Sequence, residues 1–193
     1  FDPTAQVYTS SLARLQLIDP ATGAVAKTLP LGSTMDSACR PIYADGIIII
    51  PLTGGYLQAV SATTLETLWV SDAFANQSLS TLTISDGYVY LATVDSFDKS
   101  WSASAGTLRH VNLLTGAVAG SFTNSEAGYY WAGGVMAGDY YVVADDMGGV
   151  SVFSADLSSK VSSLAASSAG FRSTLVADGD SIYAVSKDGV LHR

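Results

Sequence analysis

Three landmarks in this 193-residue chain recur in one register. Gly46, Gly87, Gly138 and Gly179, each at the head of a strand-like run, stand 41, 51 and 41 residues apart. Gly55, Gly106, Gly148 and Gly189 precede YLQAVS, TLRHVN, GVSVFS and VLHR at spacings of 51, 42 and 41. Turn signals at DPATG (19–23), SATTL (61–65), NLLTG (112–116) and SADLS (154–158) step by 42, 51 and 42. The long step always spans the tract Asp95–Ala105, so one insertion accounts for all three series. A period in the low forties restricts the chain to copies of one supersecondary unit, each burying its apolar faces against its neighbours.

Each unit parses into four short strands. The innermost are RPIYA (40–44), TLTIS (81–85), AGGVM (132–136) and STLVA (173–177), and the second are IIIIPL, YVYLATV, YYVVAD and SIYAVS. The third are LQAVS, LRHVN, VSVFS and VLHR; the fourth are ETLWVS, AVAGSF and KVSSL. In the third strand Leu57, Leu108, Val150 and Leu191 share one slot and Gln58, Arg109, Ser151 and His192 the next. That alternation is expected of a strand half buried and half solvated. The fold class is therefore all-β, a β-propeller of about four to five four-stranded blades in a single domain over 1–193. The repeat units run at about 1–34, 35–75, 76–125, 126–166 and 167–193. The first unit lacks its inner strand and the last its outer strand. An arc of a larger propeller, a five-sheet ring and a half that associates with another copy all remain open. An unclosed propeller exposes blade edges, which favours self-association.

Composition excludes several function classes. Nine Lys and Arg against seventeen Asp and Glu give a net charge of −8, with no basic cluster. The chain lacks an electrostatic footprint for nucleic acid. The longest apolar run, Gly46–Leu52, is strand-sized, so no membrane-inserting helix is expected. The single cysteine, Cys39, supplies neither an internal disulfide nor a thiolate metal site. The start, FDPTAQVYTS, reads as a mature or excised segment.

ISDGYVYLAT, VADGDSIYAVSKDGVL and YLQAVSATTLETLW resemble the pyrroloquinoline-quinone-like (PQQ-like) repeat family over nearly the whole chain. Its repeat runs Asp-Gly, Val-Tyr-Val, a Gly turn, Leu-x-Ala-Leu-Asp, then Thr-Gly and a tryptophan. Only Asp19 keeps the aspartate before the turn, where Ser61, Asn112 and Ser154 replace it. Only Trp69 keeps the tryptophan, where Lys27, Gly120 and Val161 stand elsewhere. The resemblance implies two functional branches. One comprises quinone-dependent dehydrogenases with calcium and a catalytic acid in the central funnel. The other is non-enzymatic and includes an outer-membrane assembly lipoprotein and bacterial surface proteins. The dehydrogenases carry adjacent cysteines in the funnel; Cys39 has no such neighbour, so no cofactor is expected and the non-enzymatic branch is favoured.

No zinc motif, phosphate loop or nucleophile elbow is present. His110 falls in a slot held by Leu17, Ala59 and Val152 and is expected to be packed; His192 is expected in solvent. Asp145 and Asp146 point opposite ways on a strand, so a turn is expected there rather than a metal site. The leads into the inner strands diverge most: Arg40, Tyr129, Tyr130, Trp131 and Arg172 are expected to converge at one mouth of the axis. Aromatics and arginine are enriched at recognition surfaces, although aromatics here also suit the seams between blades. Phe97 and Trp101, in the inserted tract, either pack back on a sheet or form a contact site. These residues predict a non-catalytic binding or scaffold module of a bacterial cell surface, recognising a protein, peptide or glycan. The alternative is a quinone-type oxidoreductase domain.

Overall fold

A computed structural model describes residues 13–31, 40–52, 54–74, 80–129 and 131–193. All regular elements among them are strands, arranged as five consecutive antiparallel sheets. The first sheet pairs β1 (Arg14–Ile18) with β2 (Val25–Pro30). The second runs β3 (Ile42–Ala44), β4 (Ile47–Leu52), β5 (Tyr56–Ser61), β6 (Thr67–Val70). The third contains β7 (Thr83–Ser85), β8 (Tyr88–Ala92), β10 (Ala103–Asn112) and β11 (Val118–Asn124), with β9 (Ser96–Phe97) added along β10. The fourth runs β12 (Val135–Ala137), β13 (Tyr140–Ala144), β14 (Gly149–Ser154), β15 (Lys160–Ala165), and the fifth β16 (Val176–Asp178), β17 (Ser181–Val185), β18 (Leu191–His192). This is a β-propeller architecture; among the described residues the first sheet has two strands and the last has three.

The glycine landmark slips by one residue between units. Asp45-Gly46 and Asp86-Gly87 are both in the left-handed region, the two-residue turn that matches strand twist. In the fourth and fifth units the pairings Ala137↔Tyr140 and Asp178↔Ser181 make Gly138 and Gly179 the first turn residue instead. Asp178 therefore ends a strand and does not belong to the turn. The equivalent residues are Ile47, Tyr88, Tyr140 and Ser181, and the inner strands begin two or three residues later than expected.

Alternate residues of each strand face the preceding and the following sheet. Four buried clusters result, one per junction. Ile50, Leu52 and Val60 meet Ala13 and Leu31 of the first sheet. Ile47, Ile49, Leu57 and Ala59 meet Val89, Leu91 and Val111. Tyr90, Ala92 and Leu108 meet Tyr141, Val143 and Phe153; Val142 and Ala144 meet Phe171 and Ala184. Because each interior sheet is covered on both sides, the polar slot of the third strand is not solvated as expected. Gln58 and Ser151 are buried, and Arg109 lies half-buried with its guanidinium over the Phe74 ring. His192 likewise is half-buried, hydrogen-bonded to Ser186 and edge-on to Phe171, rather than in solvent.

The sheets are also stitched at their outer turns. Trp69 Nε1 donates to the Leu113 carbonyl (3.1 Å), and its ring lies against Gly116. At the next junction Gly120 vacates the tryptophan position. His110 fills the space, stacked on Tyr88 at 4.9 Å, and the Tyr90 hydroxyl donates to Ala155, the carbonyl equivalent to that of Leu113 (2.9 Å). His110 is thus packed, as its slot predicts.

Candidate functional site

The connections between second and third strands and the leads into the inner strands lie at the same end of the sheets. The inserted tract is there, and it is a hairpin rather than a loose loop. β9 pairs with the start of β10 through Phe97↔Ala103 and Ser96↔Ala105, so the third strand is extended to ten residues. Asp98 closes the tip by accepting the Ser100 (2.8 Å) and Ser102 (2.9 Å) amides on Oδ1. A short side-chain acceptor that caps its own turn fixes the tip without help from packing.

The hairpin is anchored to the next two units through Asp146. Its carboxylate is buried. Oδ1 accepts Arg172 Nε (2.8 Å) and Lys187 Nζ (3.2 Å); Oδ2 accepts the Ala103 amide (2.8 Å) and Arg172 Nη2 (3.2 Å). Lys187 Nζ also donates to the Asp146 carbonyl (2.9 Å), and the Gly128 amide to the Ala103 carbonyl (2.7 Å). Burial alone would raise the Asp146 carboxyl, but Arg172, the Ala103 amide and Lys187 outweigh it and hold it below the usual carboxylate range. Asp145 points the other way, accepting the Met147 (3.0 Å) and Gly149 (2.8 Å) amides on Oδ1. Burial pushes its carboxyl up, against those amides. Adjacent carboxylates thus serve a turn on one side and an ion cluster on the other.

Arg172 has a second role: its Nη2 donates to the Trp101 carbonyl (3.2 Å), which ties the hairpin tip to the fifth unit. Trp101 is 74% exposed, with φ of 60°, and its ring lies 5.7 Å from that of Phe97. Trp131, in the same slot of the fourth unit as Arg172 in the fifth, is 42% exposed, also at φ 60°. A bulky residue in the left-handed region costs on the order of 1–3 kcal/mol and is held there only by its surroundings.

The residues expected at one mouth are placed separately, and Arg172 instead meets the inserted hairpin, whose Phe97 and Trp101 were not part of that expectation. The structure brings Trp101, Phe97 and Arg172 together, and places Trp131 on the same end. Arg40 lies apart from the hairpin, exposed beside a groove of about 340 Å³ between the inner strands of four sheets, with Tyr43, Thr81, Thr83 and Thr174. No carboxylate is among the described residues lining that groove. Tyr129 is a correction: it is buried in the seam between the third and fourth sheets, not at the mouth. Gly106 and Gly128 allow the close approach that swallows it, since a side chain on Gly106 would meet the Tyr129 ring at 3.0 Å. Tyr130 and Cys39 lie outside the described residues. Sequence reasoning missed Asp146 as the organising residue. Its signal was present: Asp146 and Lys187 hold the same slot of consecutive units with opposite charge.

No protein-family model matches the chain, and no curated protein matches its sequence. Solved structures do resemble it. The computationally designed Ika8 protein aligns with a TM-score of 0.72 at 14% identity, over 91% of this chain and 50% of that one. The quinohemoprotein alcohol dehydrogenase ADHIIG from Pseudomonas putida HK5 gives 0.71 at 12% identity, over 95% of this chain and 37% of that one. BamB from Moraxella catarrhalis gives 0.52 at 18% identity, over 92% of this chain and 65% of that one. At these identities the likeness shows the fold alone, a β-propeller, and the chain spans one third to two thirds of these neighbours.

Proposed function

We propose that this chain is a non-catalytic propeller module that binds or scaffolds a protein, peptide or glycan at a bacterial cell surface. In this reading recognition takes place on the inserted hairpin. The observation that carries it is Trp101: a large aromatic, 74% exposed, on a tip fastened by Asp98 and by Arg172. An exposed indole on a rigid support offers contact area at low ordering cost, which suits recognition of sugar faces and of peptide side chains. Arg172 is spoken for by Asp146, so its role is to position the tip. The paucity of cysteine and the two bacterial neighbours support the assignment of location.

The quinone-type oxidoreductase reading rests on the dehydrogenase neighbour and on the axial groove. The groove offers Arg40 and threonine hydroxyls, a set suited to hydrogen bonding more than to proton abstraction or cation binding. Glycan and peptide arrays probed with wild-type protein and with Trp101→Ala and Trp131→Ala test the proposal. The expected outcome is a specific binder lost at least tenfold in Trp101→Ala with an unchanged melting temperature. Saturable thermal stabilisation by calcium with pyrroloquinoline quinone would overturn it.

A further inference from the structure

The fifth sheet repeats the slots with which every earlier sheet covers its successor, but nothing among the described residues covers them. Val185 is 44% exposed, whereas Ala92 and Ala144 in the equivalent slot are fully buried. Leu191 is 66% exposed, against complete burial of Leu57 and Leu108. Val176, paired with Tyr183, is 59% exposed, and Tyr183 itself is only half-buried. The four side chains lie on one face, through the pairings Val176↔Tyr183 and Val185↔Leu191. A contiguous apolar sheet face of this kind marks an interaction surface.

The first sheet shows the complementary defect. Ile18, paired with Val25, holds the slot in which Val60, Val111 and Phe153 face the preceding sheet. Those three are fully buried, while Ile18 is 52% exposed and Val25 49%. Among the described residues, one molecule therefore carries an uncovered successor face at one end and an uncovered predecessor face at the other. The same two faces mate at all four internal junctions.

We infer that the occupant is a second copy of this chain, docked head to tail, with Val176, Tyr183, Val185 and Leu191 of one copy against Ile18 and Val25 of the next. Such a contact is heterologous: different patches meet, and the assembly closes into a ring where the rotation allows. It is independent of the hairpin site, which lies at the strand ends rather than on the sheet faces.

Sedimentation equilibrium of the 193-residue chain tests this. The wild type should sediment at no less than twice 20.0 kDa. Leu191→Asp and Ile18→Asp should each weaken association at least tenfold while leaving the far-ultraviolet circular dichroism unchanged. Mixed in equal amounts, the two variants should again form dimers, because each pair retains one intact junction. Should either aspartate impair folding, Leu191→Ser and Ile18→Thr give the same pattern in milder form. A wild type that stays monomeric, an Ile18→Asp chain that associates normally, or a mixture that stays monomeric would each overturn the inference.

Discussion

The seam between the second and third sheets and the one between the third and fourth do the same job with different chemistry. The first is aliphatic, with Ile47, Ile49 and Leu57 against Val89, Leu91 and Val111, closed at its rim by one tryptophan. The second is aromatic: Tyr90 stacks on Tyr141 at 4.9 Å, Phe122 tilts on Phe153 at 4.7 Å, and Tyr129 fills the end nearest the hairpin. Beyond it sits the buried Asp146 cluster. The contrast teaches that the repeat needs only volume and apolarity at its slots. Polar specificity accumulates where the repeat is interrupted, and there it fixes an exposed tryptophan instead of adding core.

Substitutions at the two seams sharpen that contrast. The largest loss is expected for Tyr141→Ala, about 4 kcal/mol, since it empties a fully buried ring position. Leu91→Ala in the aliphatic seam should cost about 3 kcal/mol and show no dependence on salt or acid, as read by denaturant unfolding. Asp146→Ala should cost about 3 kcal/mol as well, because it strands Arg172 and Lys187 and leaves the Ala103 amide unpaired. Unlike Leu91→Ala, it should free the hairpin, detected as faster amide exchange at 96–103. If both substitutions leave exchange there untouched, the hairpin is not held by Asp146.

Acid separates the seams next. The lowered carboxyl of Asp146 gives stability that is full above the ordinary value of about 3.9 and is lost as pH falls through the folded-state value below it. Asp145 works in reverse: its raised carboxyl favours the folded state at low pH, and that contribution fades as pH rises through its folded value. Asp146→Asn should therefore flatten the acid limb of a stability profile, while Asp145→Asn, which keeps an acceptor for the turn amides, should steepen it. Tyr141→Phe is expected to cost about 1 kcal/mol, through loss of the acceptor for the Gly134 amide. The smallest change in stability, within about 0.5 kcal/mol, is expected for Trp101→Ala.

The sheets and their order were legible in the sequence, because they rest on periodic slots that survive degenerate residues. What was hidden depends on contacts between units. The Asp-Gly register slipped because Asp178-Gly179 resembles Asp86-Gly87 yet sits one residue earlier relative to its turn. Alternation at Gln58 and Ser151 suggested solvent, but in a stack the second face is covered too. Tyr129 looked like a mouth residue because the glycines that admit it are far apart in sequence, Gly106 in β10 and Gly128 in the loop before Tyr129. The tract Asp95–Ala105 reads as an addition outside the repeat. The bonds of Ala103, whose amide donates to Asp146 43 residues away and whose carbonyl accepts the Gly128 amide, reveal that it is built into the next unit.

The central claim is that recognition resides on the fastened hairpin and not in the axial groove. Hydrogen-exchange footprinting of the protein with the strongest binder from the arrays tests it most directly. Protection concentrated at 97–103 and around Trp131 is the expected result. Protection confined to the inner strands around Arg40, Thr81 and Thr174, with the hairpin unchanged, would contradict it.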